Sequence, residues 1–159
     1  MRWCYRLQAN PIVRCGWHSS VIVKLYFKEK YARKASGWLK ENNEAIPLTS
    51  FHELELVNAI QLKQFRKEIT PDQTRLIISK LEEHETGGIY YRPQLDWSAI
   101  FIHAMDLSKK YSAGIGSRSL DILHIASALS INADRVLTFD DRQIRLAELA
   151  GLKIVNVKK

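Results

Sequence analysis

Two neighbouring stretches carry the strongest structural signal: residues 118–131 read RSLDILHIASALSI, and residues 135–140 read RVLTFD. The first stretch is apolar almost all round a helix, which predicts a central, buried helix. The second is a short apolar run ending at a carboxylate, which favours a buried strand. A buried helix followed at once by a buried strand is typical of α/β domains, in which right-handed crossovers join parallel strands covered on both faces.

The same alternation of helix and strand extends outward from these stretches. Ser50 and Glu53 have the spacing of a capping box, Pro71 suits a first helical position, and Gly151 suits a helix stop. Helices are predicted over 31–43, 50–69, 71–86, 96–110, 118–131 and 141–150, and strands over 45–49, 135–139 and 152–157. Residues 21–27 form an apolar run that fits a strand or a helix. The predicted fold class is therefore α/β with a parallel sheet.

Three acidic residues stand out because their neighbours are apolar. Glu55 lies in the helix after the second predicted strand, Asp121 opens the buried helix, and Asp140 ends the strand at 135–139. Ligands bind at the carboxyl ends of parallel strands. Clustered buried carboxylates are costly without a cation, and Mg²⁺ and Mn²⁺ take oxygen ligands. The pattern points to a divalent metal site.

Each acid also has a structural interpretation. Asp140 and Gln143 have capping-box spacing, Asp121 in a first helical turn is favoured by the helix dipole, and Glu55 can pair with Lys63 or Arg66 nearby. Taken one at a time, these interpretations are stronger than the catalytic one. The three acids together favour the metal site.

Other residues of the helices are interpreted as structural. His124 lies three residues after Asp121 and shares its face, which favours a hydrogen-bonded core histidine. His52 is predicted on a helix surface, and it belongs to no zinc-protease signature because no second histidine follows at the required spacing. Ile102 and Leu120 are predicted to face the core.

Composition and charge restrict the class of function. The 159 residues fit one domain, and 46% apolar residues suffice for a core. No apolar run approaches the roughly 18 residues that span a bilayer, and two cysteines without metal-site spacing favour a reducing, cytoplasmic location. The net charge of +7 (24 Lys and Arg against 17 Asp and Glu) attracts phosphate polymers such as RNA, although solvated lysines alone account for it equally. Phosphate-loop, dinucleotide and serine-hydrolase motifs are absent.

Four blocks of the sequence resemble the PIN-domain family. They read SSVIVKLY at 19–26, LTS at 48–50 with ELVNA at 55–59, RSLDILHIA at 118–126, and LTFD at 137–140. The nearest branch resembles the VapC-type toxins of bacterial and archaeal toxin–antitoxin pairs. The resemblance implies a three-layer α/β/α sandwich with a central parallel sheet, and it divides the chain into an atypical segment, 1–18, and a PIN-like nuclease domain, 19–159.

The resemblance also implies a Mg²⁺- or Mn²⁺-dependent endoribonuclease, in which a metal-activated water attacks the RNA phosphodiester. Members commonly form homodimers and are held inactive by a cognate antitoxin. Carried over position by position, the catalytic and metal-binding acids are Glu55, Asp121 and Asp140, the auxiliary acid is Asp141, and the site-lining hydroxyls are Ser20 and Ser119. Candidates to hold the RNA backbone, a positioning role, are Lys24, Arg118 and Arg142.

His18 departs from the family pattern. It stands immediately before Ser19, where the family has its first acid, and residues 13–17 (VRCGW) are less apolar than the family's first strand. A shifted reading frame and genuine divergence both account for this segment. An imidazole is a softer, neutral ligand, so His18 is a candidate metal ligand that removes one negative charge. We predict a weak nuclease at best; the alternative is a degenerate PIN scaffold that binds RNA or an antitoxin without cleaving.

Overall fold

The computed structural model describes residues 15–155, so most of the predicted atypical segment and the end of the last predicted strand lie outside the described residues. The strands are β1 (Cys15–Trp17), β2 (Ile46–Pro47), β3 (Tyr90–Tyr91), β4 (Arg135–Leu137) and β5 (Lys153–Ile154). The helices are α1 (Ser19–Val23), α2 (Ala32–Asn42), α3 (Ser50–Phe65), α4 (Pro71–Thr86), α5 (Trp97–Leu107), a π-helical segment (Ser108–Ser112), α6 (Ala113–Ile115), α7 (Ser119–Ser130) and α8 (Asp141–Leu149).

The strands run parallel in every pair of the described sheet. β4 is the middle strand of a three-stranded piece ordered β1-β4-β5, and β2 pairs with β3 in a two-stranded piece. The backbone N–H of His18 donates to the carbonyl of Leu137 at 3.1 Å, which prolongs the pairing of β1 with β4. β1 also lies against β2, so the two pieces continue one central layer.

Helices cover both faces of this layer, which confirms the predicted α/β/α sandwich. Val136 belongs to one apolar cluster, formed with α5, α7 and α8, whereas Leu137 belongs to a second cluster, formed with β1, α1 and α3. Successive residues of a strand point to opposite faces, so β4 contributes to both cores. The apolar residues Val136 and Leu137 follow from burial on both sides.

β1 packs directly against the buried helix α7. A Cβ placed on Gly16 would lie 2.7 Å from the Cβ of Ala128, which is closer than real side chains approach. Gly16 therefore permits the contact between strand and helix. Cys15–Trp17 is a real strand despite its weak sequence signal, because its neighbours rather than its own composition supply the pairing and the burial.

Several predicted elements are confirmed with changed ends. The run at 21–27 is helical only to Val23, α3 ends at Phe65 rather than at 69, and α5 passes into a π-helical segment after Leu107. Ile102 and Leu120 are 58% and 50% exposed, so their predicted inward orientation is wrong. In each of these two helices, only part of the apolar residues faces the core, and the others are exposed to solvent.

The predicted capping box of α3 is displaced by one residue. Thr49, not Ser50, is the N-cap: its hydroxyl accepts from the backbone N–H of His52, and the His52 side chain lies 3.3 Å from the backbone N of Thr49. Glu53 instead forms a two-bond ion pair with Arg92. The helix α4 begins as predicted, with Thr70 as N-cap before Pro71.

Candidate functional site

The predicted acids are placed along one edge of the sheet, where the parallel strands end. His18 follows β1 directly, and Asp140 lies three residues after β4 as the N-cap of α8. Asp121 is the third residue of α7, and Glu55 lies in the second turn of α3. We call this place the acid edge: His18, Glu55, Asp121 and Asp140. The negative charges of Glu55 and Asp140 both favour a protonated His18 ring and so raise its pKa, against the larger, lowering effect of burial.

Glu55 is held by two side chains that lie beside the acid edge. The Ser19 hydroxyl donates to Oε2 of Glu55 at 2.5 Å, and Nε2 of His124 lies 2.7 Å from the same oxygen. His124 is 5% exposed and Ser19 is 4% exposed, so both hydrogen bonds lie in a region of low dielectric. The alternative pairing of Glu55 with Lys63 is wrong, because Lys63 pairs with Glu29 and Glu68.

Gln143 connects Asp121 and Asp140, the first through its side-chain amide and the second through its backbone N–H. Nε2 of Gln143 lies 3.4 Å from Oδ1 of Asp121, while the backbone N–H of Gln143 donates to Oδ1 of Asp140 at 3.1 Å. Asp121 also accepts from the backbone N–H of Arg118 at 3.3 Å. Asp140 thus caps α8 as predicted, but the Gln143 side chain turns to Asp121 and does not complete the capping box, since the N–H of Asp140 donates to the Thr138 hydroxyl. Asp121 lies in the first turn of α7, as predicted. Gln143 is fully buried, and its Oε1 has no hydrogen-bond partner among residues 15–155.

His18 faces the acid edge with a hydrogen-bond donor. Its Nδ1 accepts from the backbone N–H of Ser20 at 3.1 Å, which makes His18 the N-cap of α1. Burial, with a smaller effect of the neighbouring His124, lowers the pKa of His18 to about 3, so the ring is neutral at pH 7. A backbone N–H can only donate, so the single ring proton sits on Nε2. That nitrogen lies 3.9 Å from Oδ1 of Asp121.

Two further buried histidines pack behind His18. The ring of His124 lies 4.2 Å from that of His18 and 4.8 Å from that of His52. His52 is 4% exposed, so its predicted surface position is wrong: its Nε2 donates to the carbonyl of Trp17 at 2.7 Å. Burial lowers the pKa of both His52 and His124 to about 3. The prediction that His124 is a hydrogen-bonded core histidine is confirmed.

The acid edge does not form a ready-made cage for a cation. Among residues 15–155, no group of three or more His, Cys, Asp or Glu side chains is placed to hold a metal ion. Two causes are visible. Glu55 already receives hydrogen bonds from Ser19 and His124, and the nitrogen that His18 turns toward Asp121 carries a proton, which a metal ligand must lack.

Comparison with known proteins identifies the family. The sequence model of the PIN domain matches residues 19–149. This chain belongs to the PIN-domain family. Its fold is similar to that in the crystal structure of FitAcB from Neisseria gonorrhoeae, with a TM-score of 0.67 and 14% identity over 91% of this chain and 98% of that chain. No curated protein shows a significant sequence match. The part of the PIN chain that the structure describes contains no helix suited to cross a membrane.

The remaining predicted site residues of this PIN domain are spread around the acid edge. Ser20 hydrogen-bonds to His18 through its hydroxyl at 2.6 Å, and Ser119 is exposed at the start of α7. Asp141 is exposed at the start of α8. Of the cations, Lys24 forms an ion pair with Glu29 at 3.1 Å, Arg118 caps α7, and Arg142 donates to the carbonyl of Gly116 at 3.4 Å.

Sequence reasoning missed the residues that organise the acids of this PIN domain. No sequence pattern assigns Ser19, Gln143 or His52 to a site. The only sequence signal for Gln143 is its capping-box spacing from Asp140, and that spacing does not predict a bridge to Asp121 on another helix. Such a bridge depends on how α7 and α8 pack against each other, which local sequence does not determine.

Proposed function

We propose that this chain is a toxin-type PIN endoribonuclease with an impaired metal centre, one that cuts RNA far more slowly than its His18→Asp variant. The observation that carries the proposal is the placement of His18 among Glu55, Asp121 and Asp140 at the carboxyl ends of the strands. Membership of the PIN family supports a nuclease. The net charge of +7 supports a polyanionic substrate such as RNA.

Under this proposal, the acids of the acid edge and the side chains that hold them have two different tasks. Glu55, Asp121 and Asp140 supply carboxylate oxygens, the donors that Mg²⁺ or Mn²⁺ prefers. Ser19 and His124 orient Glu55, and Gln143 sets the spacing of the other two acids. The substrate phosphate would be held by Arg118 and Arg142, which are both exposed, whereas Lys24 is already engaged with Glu29.

His18 opposes this arrangement because it supplies a proton where an oxygen ligand is needed. An aspartate at position 18 would put oxygen atoms beside Asp121 and would still accept from the backbone N–H of Ser20, since aspartate is a favoured N-cap residue. His18→Asp therefore changes the ligand set while it preserves the start of α1. This makes the variant a gain-of-function test.

The test is cleavage of a labelled, structured RNA by the purified chain and by His18→Asp, each in Mg²⁺, in Mn²⁺ and in EDTA. We expect slow, metal-dependent cutting by the unmodified chain and much faster cutting by the variant. His103, exposed on α5, supplies a matched control: His103→Asp adds the same charge elsewhere and should leave the rate unchanged. Equal, rapid cutting by the chain and by His18→Asp would contradict the impaired centre.

A degenerate scaffold that binds RNA or an antitoxin is the second candidate. The hydrogen bonds that Glu55 receives from Ser19 and His124 favour it, because a carboxylate with two donors is stable without a cation. This candidate predicts RNA binding that weakens steeply with salt and no product from either protein in any metal. Silence from a folded His18→Asp variant would favour it over the nuclease.

We also propose a cytoplasmic protein with a cognate antitoxin and a homodimeric assembly. The family resemblance supports the antitoxin, and an exposed apolar stripe on α5 supports the dimer: Phe101 is 53%, Ile102 58% and Met105 53% exposed. Exposed apolar patches of this kind mark interfaces. Ile102→Lys should convert a dimer into a monomer in light scattering; an unchanged dimer mass would exclude this stripe as the interface.

A further inference from the structure

We propose that the stacked rings of Tyr31 and Phe139, next to the acid edge, form a platform on which one base of single-stranded RNA stacks. The rings are 4.8 Å apart between centroids and are inclined by only 21°. Phe139 immediately precedes Asp140 in the chain, so the platform adjoins the carboxylates. This inference rests on RNA being the substrate, as proposed above, and adds a base-binding position to it.

The backbone conformation of Tyr31 indicates that a tyrosine is not present at this position because it starts α2 well. Tyr31 is the N-cap of α2 with φ of 69° and ψ of 1°, a left-handed conformation that glycine or asparagine adopts more easily. Its side chain makes no capping hydrogen bond, whereas serine, threonine, aspartate or asparagine would supply one. A tyrosine here is unfavourable for the backbone and for the cap, so the ring itself accounts for the choice. Strained residues of this kind cluster at functional sites.

Lys30 gives the platform a positive charge that can pair with a phosphate of a nucleic-acid strand. The ammonium of Lys30 lies 4.9 Å from the centre of the Tyr31 ring, whereas Lys24, 6.0 Å from the centre of the Phe139 ring, is paired with Glu29. Lys30 is exposed, so its flexible side chain can leave the ring to an incoming base and bind the adjoining phosphate. Tyr31 and Phe139 are both partly exposed. Aromatic rings combined with lysines are the usual means of holding single strands without sequence preference.

The experiment compares two oligonucleotides in EDTA, where metal-dependent cleavage is suppressed. One is a fluorescein-labelled single-stranded RNA, and the other has the same length and charge but carries abasic residues. Fluorescence anisotropy gives the dissociation constants for the unmodified chain, Tyr31→Ala and Tyr31→Phe. Tyr31→Ala should bind the RNA about tenfold more weakly and the abasic strand unchanged, because only bases stack. Tyr31→Phe retains the ring and should bind as the unmodified chain does.

The chain offers a matched control at Tyr111, which has the same sequence relation to a lysine. The Lys110 ammonium lies 5.0 Å from the centre of the Tyr111 ring, but the Tyr111 hydroxyl donates to the carbonyl of Leu149, at the opposite end of α8 from Asp140. Tyr111→Ala should leave both dissociation constants unchanged. Lys30→Ala should weaken both oligonucleotides alike, because a phosphate contact does not depend on the base.

The outcomes separate this inference from the proposed function. If the unmodified chain binds RNA and folded Tyr31→Ala binds it equally well, or loses affinity equally for both strands, the platform is wrong while the nuclease proposal stands. If the unmodified chain and His18→Asp neither bind nor cut RNA, both fail. A 2-aminopurine base in the strand adds a direct readout: the unmodified chain should quench its fluorescence by stacking, and Tyr31→Ala should not.

Discussion

At the scale of single residues, the ring protons of three histidines determine what the acid edge can bind. His18, His52 and His124 are neutral, and each has a partner that fixes the proton on Nε2: the N–H of Ser20 for His18, the carbonyl of Trp17 for His52, and Glu55 for His124. The Nε2 of His124 donates to Glu55 at 2.7 Å, whereas that of His18 lies 3.9 Å from Oδ1 of Asp121, beyond hydrogen-bond distance. Both N–H groups therefore face carboxylates that a divalent cation would need as ligands.

Acid should destabilise the fold through these histidines. Burial lowers the pKa of His18, His52 and His124 from 6.5 to about 3, so below pH 6.5 the unfolded chain binds protons that the folded chain does not. The free energy of unfolding therefore falls as the pH falls from 6.5 toward 3, by at most about 1.4 kcal/mol per pH unit for each histidine. Urea unfolding between pH 7 and pH 5 measures this; a flat profile would contradict the neutral cluster.

Asp121 is the acid whose loss tests the catalytic assignment most simply. Asp121→Asn keeps an oxygen for the backbone N–H of Arg118 but removes a negative charge near Asp140. In a His18→Asp background we expect cleavage to fall to the level measured in EDTA, with an unchanged or higher melting temperature because like charges no longer repel. Gel assays and thermal melting report the two effects. If cleavage were undiminished, Asp121 would not be a catalytic residue.

At the scale of elements, the start of a helix is predictable where the capping residue is exposed and makes contacts only within its own first turn. Thr70 and Pro71 at the start of α4 and Asp140 at the start of α8 follow from sequence alone. The start of α3 does not follow from sequence. The choice of Thr49 over Ser50 depends on the hydrogen bond from His52 to the carbonyl of Trp17 in β1, which is distant in sequence. Sequence patterns contain the capping candidates but not the tertiary contact that selects between them.

Substitution of the two adjacent candidates separates these caps. Thr49→Ala removes the hydroxyl that accepts from the N–H of His52 and should lower the free energy of unfolding by about 1–2 kcal/mol. Ser50→Ala, at an exposed first helical position, should change it little. Chemical denaturation of both variants decides. If Ser50→Ala lowered the free energy of unfolding more than Thr49→Ala does, Ser50 would be the N-cap, as the sequence predicts.

At the scale of the whole molecule, the sandwich is predictable because alternating helices and apolar strands leave few arrangements. The strand β4 shows this directly, since its neighbouring residues Val136 and Leu137 enter different cores. β1 is the exception. Its three residues include a glycine, and its place in the sheet depends on pairing with β4 and on contact with α7, which are long-range properties absent from local composition.

Two glycine substitutions with opposite expected signs test the place of β1. Gly16→Ala puts a Cβ 2.7 Å from that of Ala128 and should destabilise the protein by about 1–3 kcal/mol through overpacking. Gly37→Ala lies within α2, and no atom of the described part of the chain is within 4 Å of the added Cβ. This substitution should stabilise the protein by up to about 1 kcal/mol. Both are measured by chemical denaturation. A neutral Gly16→Ala would mean that β1 does not pack on α7.

We propose that His18 prevents the carboxylates of the acid edge from binding a divalent cation. Isothermal titration of Mn²⁺ into the unmodified chain, His18→Asp and the control His103→Asp tests this without any RNA. We predict that His18→Asp binds Mn²⁺ at least about tenfold more tightly than the unmodified chain, and that His103→Asp binds as the unmodified chain does. Equal binding by the unmodified chain and His18→Asp would contradict the claim.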